Sequence, residues 1–476
     1  MLSFCVHGHF YQPPREDPLT GIIPPEPGAA PYTHWNERIH AECYRPNADA
    51  GNFEKMSFNF GPTILAWVEA YDAQTYHKII AQDRANVEQY GVGNAMAQAY
   101  HHTILPLANY RDKITQVAWG IADFEHRFGR KPQGMWLPET AVDLETLSVL
   151  AEQGIEYTIL APWQAEDSQL DFTQTYRIVL PGGLSIIALF YHQHLSSGVS
   201  FRPEMTLDAY RFVASDLRPA FEPIEKPQLI LVASDGELYG HHQRFREQFL
   251  AHVLNGASSH AGIEPTFPAR WLKTHRPARS ISIRENTSWS CHHGVRRWYE
   301  ECPCVPNGKW KIHLRRALDR LADRLDQAYF RHVGAYILDP WELRHAYGQV
   351  LTGERTAEDL IFAHARRRLP TPITRQVITL LRSQYERQRM YTSCGWFFED
   401  FDRIEPKNNL KYAAQAVILT QQAIGLDLSE KTMADLQFVV SPSSGLRGDQ
   451  VFGAHLARVA DGESHARSLA GKQSVV

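Results

Sequence analysis

Apolar residues come in short blocks along the first half of this chain, and each block ends in polar or charged groups. Leu2-Ser-Phe-Cys-Val6 runs straight into His7-Gly-His9-Phe-Tyr-Gln12, and Leu229 to Ala233 runs into Asp235, Glu237, Tyr239, His241 and His242. An apolar run of this length, bounded by polar residues, reads as a strand buried on both faces. The same reading predicts strands near 94–100, 134–139, 155–160 and 184–191. Helical spacing fills the gaps. Pro62 opens a helix to about residue 90, with Ile64, Leu65, Trp67, Val68 and Tyr71 on one face. Further helices are expected at 114–128, closed by Gly129, and at 142–153, closed by Gly154. Two more are expected at 207–217 and 245–254. Residues 13–50 are rich in Pro and polar groups and have little periodicity.

Strands and helices thus alternate from residue 2 to about 255, which argues for a parallel sheet with helical crossovers, and six or so units favour a barrel over an open sheet. No Gly-x-Gly-x-x-Gly follows the first strand and no Gly-x-x-x-x-Gly-Lys-Ser/Thr occurs, so dinucleotide and phosphate-loop folds are disfavoured. From Lys309 the texture changes. Leu314, Ala317, Leu318, Leu321 and Leu325 recur at helical spacing, and more helical stretches follow. The expected division is a barrel at 1–305, a helical region at 306–440 and a flexible tail at 441–476, the last rich in Ser, Gly and charge.

Composition changes little in this picture. Hydrophobic residues make up 43% and charged residues 21%, as in an ordinary globular protein. A net charge of −4 offers no footprint for nucleic acid or an anionic membrane. There is no apolar run long enough to span a bilayer and no secretory leader pattern. Six cysteines in 476 residues make a disulfide framework improbable. The expectation is a cytoplasmic protein; the oligomeric state is left open.

The candidate chemistry lies at the strand ends, where parallel α/β folds build their sites. Glu139 and Asp235 each end a strand, 96 positions apart (235 − 139), and barrel closure would aim both at one cavity. Two carboxyls across a sugar linkage suffice for glycoside cleavage, one ionised and attacking, the other holding a proton through burial or a neighbouring charge. The plainer alternatives are a helix start at Pro138-Glu139-Thr140 and an Asp-Gly turn after the strand. The strand-end histidines, His7 and His9 foremost, admit three readings: sugar binding, metal binding with Asp235, or structural hydrogen bonding. Cys291-His-His293 with Cys302-Pro-Cys304 could bind zinc, or could pack as small apolar residues around Trp289 and Trp298. Trp136 and Trp289, each next to a motif polar group, are the aromatics expected to stack on sugar, with Tyr239, Trp298 and Trp396 as weaker candidates.

These stretches carry a resemblance. Gly134-Met-Trp-Leu-Pro-Glu139 and Ala233-Ser-Asp235-Gly-Glu237-Leu-Tyr239-Gly are similar to two signature motifs of family 57 glycoside hydrolases, the α-glucan-active amylases, 4-α-glucanotransferases and branching enzymes. His7-Gly-His9-Phe-Tyr-Gln12-Pro13 resembles the family's first motif, with Tyr11 where a His is usual. Ser288-Trp-Ser-Cys-His-His-Gly-Val and Thr392-Ser-Cys-Gly-Trp-Phe-Phe-Glu resemble a less characterised branch. The resemblance runs over roughly 2–300. It implies an incomplete (β/α)7 TIM-like barrel followed by helices, and a retaining mechanism without metal or other cofactor. Glu139 is implied as nucleophile and Asp235 as general acid/base. His7, His9, Gln12, Trp136, Glu237, Tyr239, His241, Trp289 and His292 are then the expected contacts to an α-glucan or oligosaccharide. The stretch 93–102 lacks the Glu that the family's second motif often carries, which bears on the sugar and linkage held. Metal-dependent polysaccharide deacetylation and non-catalytic glucan binding remain the rival functions.

Overall fold

Period-two alternation shapes the first strand, β1 (Leu2–Phe10). Phe4, Val6 and Phe10 join the core beneath the helices, while Cys5 belongs to a second cluster with Met96, Trp136, Leu229 and Leu231. His7 and His9 share the face of Cys5. In the computed structural model, which describes residues 1–459, nine further strands follow. They are β2 (Ser57–Phe60), β3 (Ala95–Gln98), β4 (Met135–Trp136), β5 (Tyr157–Leu160), β6 (Thr175–Val179), β7 (Ser185–Phe190), β8 (Gln228–Asp235), β9 (Glu264–Pro265) and β10 (Arg279–Ser280).

The chain divides into two units. The first holds residues 1–14 and 25–292; the second holds 15–24 and the chain from 293. In the first unit one sheet runs β4-β3-β2-β1-β8, all parallel. A parallel bridge from Gly134 to Tyr157 carries the order on to β5, which pairs in parallel with β7. Hydrogen bonds from Leu229 N to Thr173 O (3.0 Å) and from His192 N to Leu231 O (2.7 Å) bring β8 beside that second sheet. Seven parallel strands thus make the incomplete barrel, with β6 inserted antiparallel to β7. Because they are parallel, their C-terminal ends share one rim.

Two expected elements before residue 100 need correction. The predicted helix at 62–90 is two helices, Pro62–Tyr71 and Ala73–Tyr90, because the Asp72 side chain accepts from Thr75 N at 3.1 Å and caps the second. The stretch 13–50, read as aperiodic, holds the helices Trp35–Ile39 and Arg45–Asp49 with a π-turn between them. Their buried face mixes Ile39, Cys43, Tyr44 and Ala48 with Asn36 and Asn47, and those buried amides hide the apolar periodicity.

The second unit is helical. Trp310–Gly334, Thr371–Arg389 and Ile404–Ile424 pack together, with Leu314, Leu318, Leu321 and Leu325 buried at the expected spacing. Arg387 grips Asp326 with two nitrogens (3.0 and 2.8 Å). The expected flexible tail is ordered up to residue 459. Helical structure covers 448–459, Phe452 is buried, and His455 bonds Gln415. The rest of that tail lies outside the described residues.

Candidate active site

Strand register assembles the floor of the rim. β1 places His7 opposite Ser57 and Ala233, and His9 opposite Asn59 and Asp235. Side chains on the same face therefore meet in layers. His7 Nδ1 pairs with Ser57 Oγ (2.9 Å) and Nε2 with Asn59 Oδ1 (3.1 Å). His9 shares Asn59 and pairs through Nε2 with His102 at 3.1 Å. Burial pulls both imidazoles down to a pKa of about 3, so they are neutral. Trp136 lies under them, its ring 4.7 Å from His7 and 5.2 Å from His9.

Above this floor stand the two carboxyls. Asp235 ends β8 with its side chain open to solvent, yet the surrounding protein displaces the bulk water that would stabilise an anion. That desolvation, with the negative charge of Glu139 next in importance, lifts its pKa to about 7. Glu139 follows β4 in an unusual turn: Glu139 and Thr140 both lie in the left-handed region, at φ 58° and 46°. For a β-branched residue this is a strained conformation, worth about 1–3 kcal/mol, that persists only where neighbours impose it. Gln164 does so. Its Oε1 accepts from Thr140 Oγ1 (2.9 Å) and Ala161 N (2.8 Å), and its Nε2 donates to Thr140 O (2.8 Å). Trp289 N also donates to Glu139 O at 3.0 Å. The turned-out carboxylate takes two donors on one oxygen: Trp289 Nε1 at 3.0 Å and Ser290 Oγ at 2.7 Å reach Oε2.

Glu237 sits deeper, 4% exposed. Its Oε1 accepts from Tyr11 N (3.0 Å) and Tyr44 OH (2.8 Å), tying the end of β1 to the π-turn. Burial and then the Asp235 charge raise it to about 8.

The expected sugar contacts divide accordingly. Trp289 is half-buried and His292 exposed, with His292 beside Trp163. Gln12 is half-buried where its carbonyl accepts from Thr63. His241 is half-buried and held by Glu42 Oε2 at 2.6 Å. Four expectations are corrected. Trp136 has no exposed surface, so its ring offers no face to a sugar. His7 is fully buried with both ring nitrogens engaged. Tyr239 is buried, its hydroxyl accepting from Ser234 Oγ at 3.2 Å. Glu237 is a buried tie rather than a lining group. Each sits one layer too deep, because adjacency to a motif in sequence carries no depth. Asn59 and Gln164 fall outside every motif of the sequence, and Ser290 lies within one without standing out as a site residue. For Asn59 the signal was present: an amide amid Phe58 and Phe60 just before Pro62.

Comparison with known proteins fits this geometry. The family model for glycosyl hydrolase family 57 matches residues 32–284, which is 253 of 476 residues (284 − 32 + 1). The chain belongs to glycosyl hydrolase family 57. A second model, a domain of unknown function (DUF3536), matches 307–459. This family 57 protein is 27% identical over 106 residues to alpha-amylase 1 of Dictyoglomus thermophilum, a match spanning 22% of this chain and only 15% of that protein. Among solved structures, an exo-type maltose-forming amylase from Pyrococcus sp. ST04 superposes with TM-score 0.74 at 16% identity, covering 91% of this chain and 82% of that one. A branching enzyme from Pyrococcus horikoshii gives TM-score 0.62 at 16% identity, covering 90% and 93%. A 4-alpha-glucanotransferase from Thermococcus litoralis gives 0.57 at 14%, covering 89% and 60%. At these identities the likeness is one of fold.

Proposed function

We propose that the chain is a retaining glycoside hydrolase or transglycosylase acting on α-glucans, with Glu139 as nucleophile and Asp235 as general acid/base. The observation that carries the reading is the coupling of the two carboxyls: the charge on Glu139 helps hold a proton on Asp235 near neutral pH. That is the division of labour double displacement needs.

In the first step Glu139 attacks the anomeric carbon as the bond to the leaving oxygen breaks, and Asp235 gives its proton to that oxygen. The product is a glycosyl ester on Glu139, with Asp235 now ionised. In the second step Asp235 takes a proton from water or from an acceptor sugar hydroxyl. The resulting oxygen nucleophile displaces Glu139, restoring both groups and the original anomeric configuration. Trp289 and Ser290 aim Glu139 by holding Oε2. The strained turn at 139–140, braced by Gln164, fixes the backbone from which that carboxylate projects.

Incubation with maltooligosaccharides and amylose, with product anomers followed by NMR, tests the reading. Products should first appear as the α anomer. Glu139→Gln and Asp235→Asn should each lose about 10³-fold or more in kcat. Full activity in either variant, or β products, would remove it. The ratio of sugar transferred to sugar hydrolysed, read on the same panel, distinguishes amylase from glucanotransferase or branching action.

A further inference from the structure

Cys291, His293, Cys302 and Cys304 converge within one continuous stretch of fourteen residues (304 − 291 + 1). Their ligand atoms all lie within 4.8 Å of one another. His293 Nδ1 is 3.3 Å from Cys304 Sγ and 3.4 Å from Cys302 Sγ. Around a tetrahedral zinc, bond lengths of about 2.3 Å to sulfur and 2.0–2.1 Å to nitrogen place sulfur and nitrogen roughly 3.6 Å apart and two sulfurs roughly 3.8 Å apart. The two nitrogen–sulfur separations, 3.3 and 3.4 Å, lie close to the first of these, and all the ligand atoms fall within 4.8 Å.

The alternative, thiols acting as small apolar filler, fits poorly. Cys291 and Cys302 are buried, but Cys304 and His293 are exposed. An exposed thiol and an exposed imidazole gain nothing by packing, yet both turn toward the buried pair. The backbone assists. Val305 N donates to Cys302 O at 2.8 Å, closing a turn over Cys302-Pro303-Cys304 that presents two thiols from one short loop.

We infer that Cys291, His293, Cys302 and Cys304 form a closed structural zinc site. Three thiolates and one imidazole are a soft donor set that favours zinc over the harder magnesium or calcium. Binding deprotonates the thiols, so up to three protons leave for solvent as the Zn–S bonds form, and no electron moves. Four protein ligands fill the coordination shell, so the site anchors chain rather than reacting. What it anchors is specific. Cys291 directly follows Trp289 and Ser290, whose side chains hold Glu139 Oε2. Metal at Cys291 fixes the loop that supplies both donors. This last consequence rests on the role proposed for Glu139; the zinc site itself does not.

The test is metal content of the full-length protein, produced with zinc in the medium and passed through desalting. About one zinc per chain is expected by elemental analysis. Cys302→Ser/Cys304→Ser should lose it, while Cys394→Ser keeps it. Cobalt added to zinc-stripped wild-type protein should give the thiolate charge-transfer and tetrahedral d–d bands, a readout that needs no activity and no variant to fold. Wild-type protein that retains no zinc, zinc content unchanged in the double variant, or cobalt spectra of octahedral oxygen ligation would each overturn the assignment. Zinc present with activity unaffected by its removal would leave the site standing and sink only its link to Glu139.

Discussion

The indole N–H of Trp289 donates to Oε2 of Glu139 at 3.0 Å, and the backbone N–H of the same residue donates to the Glu139 carbonyl at the same distance. One residue, 150 positions downstream (289 − 139), thus fixes both the main chain and the side chain of the proposed nucleophile. Trp289→Phe keeps an aromatic ring and deletes the side-chain donor. Removing a single oriented donor from a reacting group costs about 10–10³-fold in kcat. Steady-state kinetics on a maltooligosaccharide should show that fall in kcat with little change in KM. Ser290→Ala should act in the same direction, and the double variant should fall by less than the product of the two losses, because both donors serve one oxygen.

As the proposed general acid, Asp235 should set the alkaline limb of the pH profile through its proton. With its pKa at about 7, kcat/KM should decline tenfold per pH unit well above that value. Part of the shift comes from the charge on Glu139. In Glu139→Gln that charge is gone, so NMR titration of the Asp235 carboxyl should move to lower pH. An unmoved titration would mean the two groups do not sense each other.

Gln164 spans the strained turn with both ends of its amide. Gln164→Ala leaves Thr140 in a left-handed conformation with nothing holding it, or lets the turn relax. Either outcome lowers stability by about 1–3 kcal/mol and misaims Glu139. Thermal unfolding and kcat should fall together. A variant that loses stability but keeps full kcat would show that the turn does not aim the carboxylate.

Glu237 offers a stability prediction with a definite sign. Its folded pKa of about 8 lies above its ordinary value near 4.5. Between those values the folded state holds a proton that the unfolded chain has released. Stability from this group is therefore present at low pH and lost as pH rises from about 4.5 to 8. Glu237→Gln removes the titration and keeps an oxygen to accept from Tyr11 N and Tyr44 OH. Relative to wild type, its melting temperature should improve steadily from pH 5 to pH 8. A constant difference across that range would contradict the raised pKa.

Much of the barrel was legible because its strands are written in the plainest code, apolar runs that stop at an acid or a histidine. β1, β8 and the stretch leading to Glu139 all announce themselves in that way. The lateral partners were not legible. β2 is four residues long, too short for any period to register, yet its Asn59 bonds both His7 and His9. Gln164 and Ser290 look like ordinary loop residues until register and turn geometry bring them to Thr140 and Glu139. Depth was also hidden. Trp136 stands three positions from Glu139 but one layer below it, and only the stacking of His7 and His9 over its ring reveals that.

β1 precedes the other described strands in the chain, and it lies inside the sheet rather than at its edge. Its neighbour β8 is 226 residues further along (228 − 2). A nascent chain that has already emerged beyond Glu139 still lacks the strand carrying Asp235, and one flank of β1 stays open to a wrong partner until that strand arrives. The closure cost of such a loop grows slowly, by about 0.6 kcal/mol for each doubling of length. The exposure is one of time, so chaperone dependence and translation speed between residues 10 and 228 should govern the yield of folded protein.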